Sequence, residues 1–113
     1  MSLESVLLKL FGVRTYAEEN PLISSLGTTA AKILPNDPDR LAYLVINLSS
    51  NVVYVALKSD VASTKGARLD ANGGSYGMVF NEDFQMTGWE LWGVATGASS
   101  AIYVLAVREY QHA

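Results

Sequence analysis

The chain is expected to fold as a mainly β protein: an antiparallel, jelly-roll-like β-sandwich of about seven or eight strands, with a short N-terminal amphipathic helix and an extended arm. Three observations predict this. From Gly27 onward, short apolar segments alternate with period two. Turn-forming clusters rich in Gly, Pro, Asn, Asp and Ser separate them. Several segments are also apolar on both faces, so each needs cover on two sides.

The N-terminus differs in kind. Leu3, Val6, Leu7, Leu10 and Phe11 follow the spacing of one helical face; Ser2 can cap the start, Glu4 sits in the first turn and Gly12 can end it. A helix this short does not persist alone in water, so this face is read as a docking surface, for its own sheet or for another chain. Val13 to Leu26, with Glu18-Glu19-Asn20-Pro21, shows no sustained period and is expected to be an extended arm. The expected boundary lies near Gly27: 1–26 for attachment or oligomerisation, 27–113 for the sandwich.

Thr28 to Leu34 is a strand candidate, ended by Pro35-Asn36-Asp37-Pro38-Asp39. Arg40 to Lys58 reads as a β-hairpin across Ser49-Ser50-Asn51. In it Ala42, Leu44, Ile46 and Leu48 form one buried side and Val53, Val55 and Leu57 another, while Tyr43, Val45, Tyr54 and Ala56 lie opposite. A polar stretch from Ser59 to Gly66 precedes a short strand, Ala67-Arg68-Leu69. Asp70-Ala71-Asn72-Gly73-Gly74 is a turn, since glycine readily supplies positive φ. Ser75 to Asn81 places Tyr76, Met78 and Phe80 on one face. Trp89 to Thr96 and Ala101 to Glu109 complete the series, joined by Gly97-Ala98-Ser99-Ser100; the last strand carries Ile102, Val104 and Ala106 on one face and Tyr103, Leu105 and Val107 on the other. A subunit interface on the second face is expected from Tyr43, Val45, Tyr54, Tyr103, Leu105 and Val107.

At 113 residues the chain is one domain. It has no cysteine, which excludes disulfides and thiolate metal sites. With 8 basic and 11 acidic residues and no Lys/Arg cluster, nucleic-acid binding is disfavoured. No apolar run approaches the roughly 20 residues of a membrane span, and Glu4 and Lys9 interrupt the N-terminal apolar stretch, so neither a membrane segment nor a signal peptide is expected.

Catalytic chemistry has little foothold. His112 is the single histidine, second from the C-terminus, and reads as an exposed tail residue; a nucleophile would lack a positioned imidazole, and a histidine zinc site cannot be filled. Asp37 with Asp39 and Glu82 with Asp83 read as solvated loop carboxylates. Asp70 and Asn72 resemble a fragment of a calcium loop, but position 12 would be Asn81 rather than a glutamate, so a plain turn is expected. Gly73-Gly74 lacks the Lys-Ser/Thr of a phosphate loop. Trp89 and Trp92, three apart in a predicted strand, should face opposite sides, one of them in the core. The other, with Tyr43, Tyr54 or Tyr103, suits either a sugar-stacking platform or a subunit interface; the interface is favoured because that face is aliphatic as often as aromatic. The expectation is no cofactor, no metal, no small-molecule ligand and no enzymatic activity.

The order of features resembles a known family. Thr28-Thr29 leading to Ile33-Leu34, Asn36 to Arg40, the LVINLSSNVVYVAL segment, Gly66 to Leu69 with Asn72-Gly73-Gly74, and the closing Tyr103-to-Glu109 strand together resemble small β-sandwich accessory proteins of tailed-phage virions, of the head-decoration, head-fibre and tail-associated kind. The resemblance covers 27–110. It implies a structural virion component, assembled in a host cytoplasm, that works by protein–protein contact with other virion proteins, forms a homo-oligomer, a trimer being favoured, and attaches through its N-terminal segment. A carbohydrate-binding sandwich module is the alternative reading.

Overall fold

The computed structural model describes residues 2, 5, 6, 9, 10, 12, 15–79 and 83–109. They form nine strands: β1 (Thr15–Glu19), β2 (Ser25–Leu26), β3 (Ala31–Leu34), β4 (Arg40–Asn47), β5 (Val53–Ala56), β6 (Ala67–Leu69), β7 (Ser75–Val79), β8 (Leu91–Ala95) and β9 (Ser100–Glu109), with a 3-10 turn at Phe84–Gly88. A five-stranded sheet runs β1-β9-β4-β7, with β2 also on β9; a four-stranded sheet runs β3-β8-β5-β6. The strand pairs are antiparallel. The two sheets enclose a core of Leu26, Ile33, Leu34, Val45, Val53, Val55, Leu69, Leu91 and Val104, each at most 2% exposed. The expected mainly β sandwich is therefore the fold.

Two details of the sequence reading are corrected. Arg40 to Lys58 is not a hairpin: β4 pairs with β7 and β9 in one sheet, and β5 with β6 and β8 in the other. Ser49-Ser50-Asn51 is thus a corner between sheets. The faces of β4 are also inverted. Tyr43 and Val45 are buried, at 4% and 0% exposed, while Leu44 and Leu48 are 36% and 56% exposed. The reason is register: Val45 lies opposite Val104, and Tyr43 opposite Ala106 and Met78, so the small and flexible neighbours that accept a buried Tyr ring are on that side. Tyr76 joins it, its ring 6.3 Å from that of Tyr43.

Residues 15–26 are built into the five-stranded sheet as β1 and β2, and Leu26 is in the core. Before them, Ser5 N donates to Ser2 Oγ (3.1 Å) and Val6 N to Ser2 O (3.1 Å), the capped turn that Ser2 predicts. Gly12 has φ +70°, as a helix-ending glycine requires. Leu10 is 70% exposed. Leu3, Leu7 and Phe11 of the expected helical face lie outside the described residues, as do Phe80, Glu82 and His112.

Candidate functional site

The site is built where β4 begins. The Pro35–Asp39 loop is rich in turn formers, and Asp37 organises it: its Oδ1 accepts from Asp39 N (3.0 Å), its carbonyl from Arg40 N (3.2 Å), and its own N–H donates to Gly88 O (2.7 Å). The last bond fastens the loop to the 3-10 turn. A Cβ on Gly88 would stand 2.7 Å from Asp37 O, so the approach needs glycine. Beneath both, Arg40 is only 4% exposed. Its guanidinium donates to Thr87 O (3.0 Å), Pro35 O (3.0 Å) and Trp89 O (2.7 Å) and lies 5.5 Å from the Tyr43 ring. One rigid fork thereby holds the end of β3, the 3-10 turn and the entry to β8. Burial lowers the Arg40 pKa, partly offset by Asp37; an arginine stays charged regardless. Burial also raises the Tyr43 phenol, which stays neutral.

Two hollows flank this loop. The larger, about 660 Å³, has Trp89, Gln85, Asn36, Pro38 and Leu41 around a floor that includes Arg40 and Gly88. Trp89 is 46% exposed, although its backbone is fixed through the Arg40 bond and through Trp89 N to Met86 O (3.1 Å). An exposed indole on a fixed backbone, beside two side-chain amides, can stack on one ring and hydrogen-bond its edge. The smaller hollow, about 330 Å³, lies on the other side, toward β1 and β9. There Arg108 bonds Glu18 Oε1 (3.1 Å) and Tyr16 Oη (2.9 Å), and its Nε pairs with the Asp37 carboxylate. Glu18, and then Asp37, push the Arg108 pKa upward. Both carboxylates lining this hollow, those of Glu18 and Asp37, are thus engaged by one cation.

The expected site residues are scattered. Tyr43 and Val45 are in the core, and Tyr54 is half-buried on the outside of the four-stranded sheet. Tyr103, Leu105 and Val107 do share the outer face of the five-stranded sheet. The expected six-residue interface is therefore not one surface, because the inversion of β4 buries Tyr43 and Val45, and Tyr54 belongs to the other sheet. Neither tryptophan is core: Trp89 precedes β8, and Trp92 is half-buried on the outer face of β8, with Lys32 Nζ 5.5 Å from its ring. Asp83 Oδ2 accepts from Val79 N (2.8 Å), and Asp70 Oδ1 from Arg68 Nε (2.8 Å). Asn72 (φ +60°) and Gly73 (φ +126°) form the turn their sequence suggests. Sequence reasoning missed Arg40, Asn36 and Gln85. An arginine opening an otherwise apolar strand was the available signal.

No family model matches the chain, and no curated protein does. A search of solved structures returns a dTDP-4-dehydrorhamnose 3,5-epimerase from Bacillus anthracis, crystallised with TDP and PPi bound, at 18% identity and a TM-score of 0.44. The match covers 99% of this chain, which spans 63% of that protein's length. The protein returned is an enzyme and not a virion protein, which runs against two expectations, the tailed-phage structural role and the absence of enzymatic activity. A likeness at this level assigns the chain no activity, substrate or site residue of its own.

Proposed function

We propose that the domain is a carbohydrate-binding β-sandwich module whose site is the Trp89 hollow. The observation that carries this reading is a half-exposed indole at the mouth of a cavity of about 660 Å³, with the amides of Asn36 and Gln85 on its rim. That volume is in the range of small-ligand sites. A sugar ring presents an apolar C–H face and a hydroxyl edge; the indole takes the first and the amides the second. The floor supports the same chemistry, since Arg40 and the Met86 carbonyl hold the Trp89 backbone without a ligand and little backbone ordering entropy remains to be lost on binding. Trp89 is the one aromatic lining this hollow among the described residues, so the module reads one ring, at a chain end or branch.

The test uses Trp92→Phe, which leaves Trp89 as the single indole. Titration with a panel of mono- and oligosaccharides is expected to shift its emission for at least one sugar class, and Trp89→Ala in the full chain is expected to lose that binding on a glycan array while keeping its melting temperature. Emission unmoved by every sugar, with an empty array, would sink the proposal.

A further inference from the structure

Arg40 carries a charge that the carbohydrate reading leaves unused. Among the described residues lining the Trp89 hollow it is the one charged group; the rest of the lining is apolar, amide or glycine. The smaller hollow differs, since Arg40 and Arg108 are balanced there by Glu18 and Asp37.

The cation is incompletely compensated. At 4% exposure Arg40 has little water, and three of its five N–H groups are spent on neutral carbonyls, Thr87 O, Pro35 O and Trp89 O. The two left over belong to the terminal nitrogens, and one of these, Nη2, is held at Trp89 O (2.7 Å), beside the hollow. The carboxylate that acts on Arg40, that of Asp37, pairs with Arg108 at the smaller hollow. Burial accordingly outweighs Asp37 and lowers the Arg40 pKa. A buried cation without an ion partner is costly, and an anion brought up to it recovers part of that cost.

We infer that the Trp89 hollow takes an acidic sugar, a uronic acid or another sugar carboxylate, whose anion is drawn by Arg40 while its ring stacks on the indole. This rests on the carbohydrate reading and narrows it. One positive charge matches the single negative charge of a carboxylate; a phosphate monoester carries about −1.5 to −2 and would bring a surplus. The chain as a whole has a net charge of −3 and repels anions at long range, so a preference for the acid is set locally, at Arg40.

Calorimetric titration of the full chain tests this with glucuronate, galacturonate and N-acetylneuraminate, each beside its uncharged amide, which keeps the ring and nearly the same shape. At least one acid is expected to bind about 10- to 100-fold tighter than its amide, the range of a hydrogen bond to a charged group. Replacing Arg40 would remove a hub of the fold, so its charge is tuned through a neighbour. Asp37→Asn keeps an oxygen for the Asp39 N–H and removes the carboxylate that offsets Arg40; it is expected to raise the acid-to-amide affinity ratio about threefold. That ratio is read within one variant, so a loosened loop alone does not move it. Amides or neutral sugars that bind as tightly as the acids, glucose 6-phosphate binding tighter than glucuronate, or a ratio unmoved by Asp37→Asn would each overturn the inference and leave the sugar site standing. A chain that binds no acid, no amide and no neutral sugar would remove the sugar site and the inference together.

Discussion

Arg40 and Asn47 open and close the same strand, β4; both are buried polar groups that grip three backbone carbonyls, yet they hold very different ends of the sandwich. The Asn47 amide donates to Asn51 O (2.7 Å), Leu69 O (3.2 Å) and Asp70 O (3.2 Å), and its Oδ1 accepts from Ser49 N (3.0 Å) and Ser49 Oγ (2.7 Å). Its backbone also pairs with Gly73 and Gly74. Around it Asn51 Nδ2 reaches Ser100 Oγ (3.0 Å), and a Cβ on Gly74 would meet Asp70 N at 2.3 Å. This is a closed corner made of neutral groups, with both ends of the amide used. Arg40 performs a similar task with a charge: its fork holds Pro35, Thr87 and Trp89, while the nearest carboxylate, Asp37, is engaged by Arg108. The neutral hub seals its end of the sandwich. The charged hub ties two loops together from beneath and leaves a hollow beside them.

Replacing each hub tests how far that difference goes. Arg40→Met is expected to have the largest effect, about 3–5 kcal/mol in urea unfolding, because three carbonyls lose their donor and the loops lose their anchor. Arg40→Lys should restore the charge without the fork and recover only part of the loss. If it recovers all of it, charge rather than geometry holds this end. Trp89 emission should shift in both variants, since its carbonyl is one of the three partners.

Asn47→Ala comes next, at about 2–3 kcal/mol, from the buried carbonyls and the Ser49 bonds left unmet. Trp89 emission should be unchanged, because the two hubs share no partner. A shift there would mean that the ends are coupled through β4, and the comparison would fail. Gly88→Ala should cost about 1–3 kcal/mol, since its Cβ would press on the Asp37 backbone and force the loop from the 3-10 turn. That loss belongs to the open end alone, so it should widen the hollow and leave Asn47 in place.

How much of this was legible in the sequence depends on whether local or distant contacts decide a feature. β6 coincides with the Ala67-Arg68-Leu69 expectation, and Tyr76 with Met78 faces inward as alternation predicts, because a turn and a period of two are local. The Ser2 cap was legible for the same reason. The partner of β4 was not. Both of its faces are apolar, so alternation could not say which was buried, and the deciding strand, β9, lies more than fifty residues away. The site suffered most. Trp89 was placed inside a strand because its neighbours are apolar, whereas the Asp37–Gly88 bond and the Arg40 fork make it the exit of a 3-10 turn. A buried arginine that binds only carbonyls leaves no charge pattern in the sequence.

The smallest expected effect concerns pH, and it separates the ion pairs from the hubs. Glu18 and Asp37 raise Arg108, so its contribution is intact below the ordinary arginine range and is lost only as pH rises through the shifted value; nothing should change between about pH 6 and pH 9. Lys32, 3.1 Å away, lowers Glu90. That contribution is present above the usual carboxylate range and fades as pH falls through the lowered value, so the loss begins below about pH 4. Both Lys32 and Glu90 are well exposed, so the change in melting temperature should be slight. Lys32→Met should raise the Glu90 pKa, read by NMR titration, and leave unfolding at neutral pH nearly unchanged. A large loss from that substitution would show that the outer face of the four-stranded sheet, where Lys32 also covers Trp92, stabilises the sandwich by packing as the two hubs do by hydrogen bonding.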